Sequence, residues 1–272
     1  MFILHEGLLG VLQEKLELID YDDLKDDNET LNFESDNGWV GITDKYWLAA
    51  LIPDQDKSFK AIYTYDNGYI AYYRSLNATK VMPGSDHFVE SQIFIGAKEA
   101  KLIDRYQEEY GIYNFDLAID WGWFYFLTKP LFNVIYFFSQ LSGNFGLAII
   151  ILTVITRVVF FPLANWSFIS MAKMKMLQPE MTRIKELHKD DKAQQQQALM
   201  ALYKKEKVNP ISGCLPILIQ IPFFFAIYKM LFVSIEMRHA PFYGWIQDLA
   251  AKDPTTIFNL FGLIPWDPPS FM

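Results

Sequence analysis

The sequence predicts a membrane protein with an α-helical transmembrane core after an N-terminal β-sandwich-like domain. Two apolar runs, Phe145–Leu163 and Gly213–Val233, have the length and composition of membrane spans. Residues 1–95 instead contain short runs rich in Tyr, Ile and Trp that are separated by turn formers. Charge is segregated in the same way: residues 1–120 carry 10 basic and 23 acidic side chains, and residues 166–208 carry 9 and 5. An acidic β-rich half is therefore followed by an apolar half with a basic island.

The β-rich domain is expected to occupy residues 1–115. Strands are predicted in Trp39–Ile52 and Phe88–Ile95, and Lys60–Arg74 is typical of a hairpin because Asn67-Gly68 separates two Tyr-rich runs. The acidic stretch Asp20–Glu29 is interpreted as a solvated turn. The acidic charge of this domain argues against nucleic-acid binding, which requires a basic face.

Two helices are predicted between this domain and the first span. Ala97–Tyr110 has apolar residues at helical spacing and ends before Gly111. Within residues 116–142, the run Trp121–Leu141 is dense in aromatic residues and nearly uncharged, and Pro130 interrupts it. We expect an amphipathic helix lying at the membrane interface, where Trp and Tyr are favoured. The alternative is a true span with a kink at Pro130.

The first predicted transmembrane helix, residues 143–165, contains one charge, Arg157. A guanidinium at the centre of a span costs about 3 kcal/mol on insertion scales. Arg157 is therefore expected to face a polar cavity, another protein group or a headgroup reached by snorkelling.

Residues 166–209 are predicted to form a helical hairpin that is basic and rich in methionine. Methionine is deformable and suits a surface that accepts varied apolar partners. The residues expected to recruit substrates are Met171, Lys173, Met174, Lys175, Met181, Arg183 and Lys185.

Residues 210–233 are the second predicted transmembrane helix, and residues 234–272 follow it as a loop. Gln220 is the central polar residue of the helix, and Lys229 is close enough to its end to snorkel. The loop between the spans carries nine Lys and Arg residues, so the positive-inside rule places it in the cytoplasm. The β domain and the final loop then lie on the outer side, which in a bacterium is the periplasm.

No catalytic constellation, metal site or cofactor motif is recognised, so we expect neither an enzyme nor a cofactor. The four histidines are scattered, and Cys214 has no second cysteine with which to form a disulfide. The polar residues inside the spans are Thr153, Thr156, Arg157 and Gln220. The threonines can bond to their own helix, and Gln220 can bond to the other helix. Arg157 has no such local explanation, and an ionisable residue inside a membrane indicates function.

Three functions remain open at this point. The protein could be an insertase or chaperone with a polar intramembrane groove, an anion channel or carrier that uses Arg157, or a passive scaffold that holds the outer domain. A channel or a scaffold has no need of the basic, methionine-rich hairpin. An insertase needs such a cytoplasmic surface to meet ribosomes and substrate chains.

Several long segments resemble the bacterial YidC membrane protein insertase family. They include FIGAKEAKLIDRY, WGWFYFLTKPLF, IILTVITRVVFFPL, SMAKMKMLQPEM and MALYKKEKVNPISGCLPILIQIPFFFAIYKML. The resemblance implies a periplasmic β-sandwich, an interfacial helix and a five-helix core in the bacterial inner membrane. It maps the groove arginine onto Arg157 and the groove Thr and Gln onto Thr153 and Gln220. It implies that the protein inserts and helps fold inner-membrane proteins, alone or with the Sec translocon, and that its partners are nascent membrane proteins, ribosomes and the lipid bilayer.

The chain departs from the family pattern in two places. The N-terminal anchor with the first part of the periplasmic domain, and the last three core helices, have no counterpart here. We therefore expect the sequence to be a fragment that contains two of the five core helices.

Overall fold

The computed structural model describes residues 4–27, 30–189, 191–206, 208–209, 213 and 215–251. A β-sandwich-like domain precedes a set of long helices, as the sequence predicts. The strands are β1 Gly7–Leu12, β2 Lys15–Asp20, β3 Leu31–Ser35, β4 Gly38–Thr43, β5 Trp47–Pro53, β6 Phe59–Tyr65, β7 Tyr69–Ser75 and β8 Ser91–Ala97. The helices are α1 Tyr21–Asp27, α2 Ala100–Glu109, α3 Tyr125–Ser142, α4 Phe145–Met176, α5 Gln178–Leu187, α6 Lys192–Lys205 and α7 Leu215–Val233, and short 3₁₀ helices span Phe115–Ala118 and Ile235–Met237.

The chain divides into two compact units, residues 1–129 with 229–272 and residues 130–228. In the first unit, one antiparallel sheet has the strand order β2-β1-β4-β5-β8 and the other has the order β3-β6-β7. Leu8 and Val40 of the first sheet pack in one core with Phe59 and Tyr63 of the second. The buried Tyr63 hydroxyl donates to the Leu9 carbonyl at 3.0 Å, which joins the two sheets by a hydrogen bond as well as by apolar contact.

The predicted hairpin around Asn67-Gly68 is confirmed, with β6 and β7 in register from Phe59↔Ser75 to Tyr65↔Tyr69. The predicted helix Ala97–Tyr110 is present as α2. Two other expectations need correction. Trp39–Ile52, predicted as one strand, forms two strands, β4 and β5. The last predicted strand, Phe88–Ile95, corresponds to β8, which begins only at Ser91.

The acidic stretch Asp20–Glu29 was interpreted as a turn, and this is wrong for Tyr21–Asp27, which form α1. Leu24 is only 1% exposed and belongs to the sandwich core, and Tyr21 packs against the same cluster. Two apolar residues three positions apart lie on one helical face. This short pattern was hidden by the four aspartates around it.

The second unit consists of helical segments. α4 continues through Pro162 to Met176, beyond the expected boundary at residue 165, because neither Gly nor Pro follows Pro162 until the next helix starts. The segment predicted as a helical hairpin, residues 166–209, therefore begins with the end of α4, which is followed by α5 after a break at Leu177.

α4 and α7 are long and apolar enough to span a membrane, and they are scarcely covered by protein. Only 11% of the most apolar window of α4 and 22% of that of α7 are buried. The core helix of a soluble protein would be mostly buried, whereas apolar surface of this extent indicates contact with lipid or with other protein. This arrangement fits a helical membrane core.

Glycine at position 10 is required by the contact between the two sheets. A Cβ added there would lie 2.4 Å from the Tyr63 hydroxyl oxygen and 2.6 Å from the Trp39 carbonyl oxygen.

We predict that Gly10→Ala destabilises the sandwich by about 1 to 3 kcal/mol through overpacking. Urea unfolding of the purified protein, followed by protease resistance of the domain, measures the loss. Gly68→Ala is the matched control, since nothing lies within 4 Å of its Cβ; equal effects of the two substitutions would contradict the packing argument.

Candidate functional site

Arg157 lies within α4 and is exposed on the surface of its unit. In the part of the chain that the structure describes, its guanidinium has no ion pair and no hydrogen bond. Residues four apart lie on the same helical face, so Thr153 is on the Arg157 face one turn away. The arginine is thus a cation on an otherwise apolar helix surface, with no carboxylate against it among the described residues.

The threonines of α4 bond to their own helix, as the local interpretation expects. The Thr153 hydroxyl donates to the Ile149 carbonyl and the Thr156 hydroxyl donates to the Leu152 carbonyl, both at 2.8 Å. A threonine engaged in this way can still accept a hydrogen bond from a ligand. The expected interhelical bond of Gln220 is not formed: its side chain is half-buried and has no hydrogen bond among the described residues.

Two contacts define how α4 and α7 run beside each other. The Ser167 hydroxyl donates to the Gly213 carbonyl at 3.1 Å, and the rings of Phe160 and Phe223 meet edge-on with centroids 5.3 Å apart. The residue number falls along α4 as it rises along α7, so the two helices are antiparallel.

The contacts also place Arg157 and Gln220 along the helix axes. Arg157 lies three residues before Phe160, and Gln220 lies three residues before Phe223. Because the helices are antiparallel, these two polar residues are on opposite sides of the aromatic contact, with an axial offset of roughly 9 Å. The described residues therefore do not bring Arg157 and Gln220 into direct contact.

The hairpin residues are distributed over two helices and are mostly exposed. Lys175 and Met171 project from the end of α4, and Arg183 and Lys185 from α5. Met181 accepts a hydrogen bond at its Sδ from the Tyr203 hydroxyl of α6 at 3.8 Å. The remaining candidates of this surface, Lys173 and Met174, are also on α4. These side chains therefore lie on two consecutive helices and are mostly exposed.

Sequence reasoning missed three ion pairs that involve the single lysine of α3 and that of α7. Lys129 Nζ lies 2.6 Å from Asp116 Oδ2 and 3.1 Å from Asp104 Oδ1, and Lys229 Nζ lies 2.6 Å from Asp120 Oδ2. The expected snorkelling of Lys229 is therefore replaced by an ion pair. Burial favours the neutral amine of Lys129, but its hydrogen bonds, above all with Asp116, raise the pKa of this lysine above its usual 10.5.

Among the described residues, another lysine of the first unit has no carboxylate within salt-bridge distance. Lys98 is 4% exposed, and its Nζ donates to the Thr43 hydroxyl at 2.7 Å. Burial lowers the pKa of Lys98 to about 8, although the more distant charges of Asp120, Asp44 and Glu6 oppose this change. Thr43 is 2% exposed, so this pair is structural and is not open to a substrate.

Two family models cover nearly the whole chain. The model described as the YidC periplasmic domain matches residues 1–134, and the model described as the 60Kd inner membrane protein matches residues 137–265. The chain belongs to the YidC family. The boundary between the two matches falls within α3, close to the point at which the helical part begins.

Relatives of the family are similar to this chain along its whole length. The membrane protein insertase YidC of Pelagibacter ubique is 58% identical over 271 residues, which are 100% of this chain and 48% of the relative. The proteins of the same name from Brucella suis biovar 1 and Rickettsia africae are 53% and 52% identical, over 100% and 99% of this chain and 45% and 49% of their own length. The chain spans about half the length of the curated relatives it matches.

The ring contact between Phe160 and Phe223 provides a test of how the two spans pair in this family member. We predict that Phe160→Ala lowers the thermal stability of the detergent-solubilised protein, because an aromatic pair contributes about 0.5 to 1.5 kcal/mol beyond its buried area. The neighbouring Phe161→Ala is the control, since Phe161 is 66% exposed and lies outside the ring contact between Phe160 and Phe223. If Phe223→Ala added its full effect to that of Phe160→Ala, the two rings would not be coupled.

Proposed function

We propose that the protein inserts membrane proteins into the bacterial inner membrane and helps them fold. The observation that carries this proposal is Arg157, an exposed cation on an apolar span with no carboxylate against it among the described residues. The names of the relatives, each a membrane protein insertase, support the same function.

The proposed working surface is a hydrophilic groove that contains Arg157, Thr153 and Gln220. A permanently charged guanidinium attracts acidic and polar residues of an incoming chain, and Thr153 keeps an acceptor available on the same face. Gln220, whose side chain has no hydrogen bond among the described residues, lies roughly 9 Å farther along the axis. Polar parts of a substrate would bind along this line while its apolar parts reach lipid past the exposed aliphatic residues of α4.

The proposed topology follows from charge. The loop between α4 and α7 is basic and lies in the cytoplasm, so the β-sandwich lies in the periplasm and α3 lies at the outer interface. The faces of α3 support an interfacial position: Thr128, Leu131, Phe132, Ile135 and Ser139 are buried, whereas Phe126, Phe137 and Leu141 are exposed.

The proposed role of the hairpin is to receive nascent chains from the ribosome or the Sec translocon. Its exposed lysines and arginine, next to deformable methionines, suit segments with mixed polar and apolar character. An anion channel or carrier built around Arg157 is the competing function, and it gives no role to this surface.

One prediction of the proposed function concerns Arg157 in the full-length protein. Arg157→Ala should reduce insertion of substrates with a charged translocated tail by about tenfold, as expected for a lost contact to a charged group, and Arg157→Lys should keep much of the activity. Growth and substrate insertion are measured in cells depleted of the native insertase. Val158→Ala is the control, because Val158 is 66% exposed on the same helix.

Normal growth with Arg157→Ala would contradict the proposed role of Arg157 in the groove. Passage of anions across liposomes by the purified full-length protein without any substrate would favour the channel instead.

Another prediction of the proposed function concerns the hairpin. Deletion of residues 185–204 should impair insertion more than protein accumulation, because the deletion removes the receiving surface and leaves both spans in place. Insertion is measured by protease protection of a translocated tail, and accumulation by immunoblot. If both quantities fell to the same extent, the hairpin would be a folding element.

A further inference from the structure

The segment Phe115–Gly122, here called the two-aspartate segment, is fixed in the sandwich. Phe115 is fully buried, and its ring meets Trp39 and Phe94 edge-on at centroid distances of 5.4 and 5.5 Å. The backbone N–H of Asp116 donates to Gln107 Oε1 at 2.9 Å. The segment is therefore a firm part of the domain, and its two carboxylates have defined positions.

Asp116 holds the beginning of α3. Its carboxylate binds Lys129 Nζ at 2.6 Å and also accepts a hydrogen bond from the Tyr125 hydroxyl. Asp104 of α2 adds a second carboxylate at 3.1 Å from the same amine. Lys129 is thus surrounded by groups that all belong to the first unit.

Asp120 holds the last turn of α7. Its Oδ2 lies 2.6 Å from Lys229 Nζ, and its Oδ1 accepts the Gly122 N–H at 3.1 Å. Gly122 packs against the stem of the same lysine, since an added Cβ would be 3.3 Å from Lys229 Cε. Lys45 over the Phe232 ring, at 4.0 Å, gives the same turn a second attachment to the domain.

The arrangement suits positioning better than it suits stability. A half-buried ion pair gains little net free energy over a well-packed apolar pair, because both charges must lose water. It does, however, fix the geometry, because each amine must lie within hydrogen-bond distance of its carboxylate partners. Here one short segment binds the beginning of α3 and the end of α7, through carboxylates four residues apart.

We propose that Asp116 and Asp120 are positioning residues of the insertase, which set the spacing between the beginning of α3 and the end of α7. This inference rests on the proposed insertase function. Neither aspartate needs to touch the substrate, because each acts through the lysine that it holds.

The test uses the full-length protein in nanodiscs, with its native cysteines replaced and spin labels at positions 126 and 243. Both side chains are well exposed, at 73% and 60%. The variants are Asp116→Asn, Asp120→Asn and Lys229→Met, together with the neutral pair D120N/K229M. The neutral pair leaves no unmatched charge and is expected to fold as well as the wild type.

Each single variant and the neutral pair should broaden the distribution of distances between the labels. They should also lower substrate insertion by roughly fivefold, the size of one lost coupling between contacting residues. The neutral pair should do so at wild-type accumulation, which a role in folding alone does not explain. The control is D54N/K57M, which removes an exposed ion pair of 2.6 Å in the sandwich and should change neither quantity.

Unchanged distances in the neutral pair would overturn the proposal, and so would broadened distances with full insertion. The distance measurement needs no substrate, so it stands even if the wild-type protein fails to insert substrates. That last failure would instead overturn the proposed function.

Discussion

A charge is costly in an apolar environment, and this constraint governs the helical part of the protein. α3, the apolar part of α4 and α7 contain one cation each: Lys129, Arg157 and Lys229. Two of them are held by carboxylates at 2.6 Å, from Asp116 and Asp120. The third has no such partner among the described residues. Among the described residues, the two paired cations fix structure, whereas Arg157 has no carboxylate against it.

The ion pairs of Lys129 and Lys229 depend in turn on the packing of the sandwich core. Phe115 is fully buried, with its ring edge-on to Trp39 and Phe94, and Asp116 next to it is also buried. Asp116 and Asp120 therefore have positions that are set by aromatic packing. Packing in the first unit, through two carboxylates, thereby determines where the ends of two apolar helices lie.

The sequence predicts the features of this fold that are encoded locally. The hairpin at Asn67-Gly68, the amphipathic α2 and the two apolar spans each follow from residues within about twenty positions of one another. The long-range pairs were missed, since Lys229 and Asp120 are 109 residues apart and no local pattern joins them. α1 was missed for a different reason, because its two core residues are outnumbered by acidic neighbours. Arg157 was chosen as a candidate site residue because a single charge in an apolar run is conspicuous without any knowledge of its partners.

Lys98 shows why Arg157 requires water or a substrate. This buried lysine has no close carboxylate, and burial lowers its pKa to about 8, so its amine can lose the charge that the environment disfavours. Arginine does not have this option, because its guanidinium stays protonated under all conditions relevant to a protein. An arginine on an apolar span must therefore be paired, solvated or bound to a ligand at all times. The described residues provide no carboxylate partner for Arg157, so its charge there is left to water, a headgroup or a ligand, and the proposed groove would supply the first and the last of these.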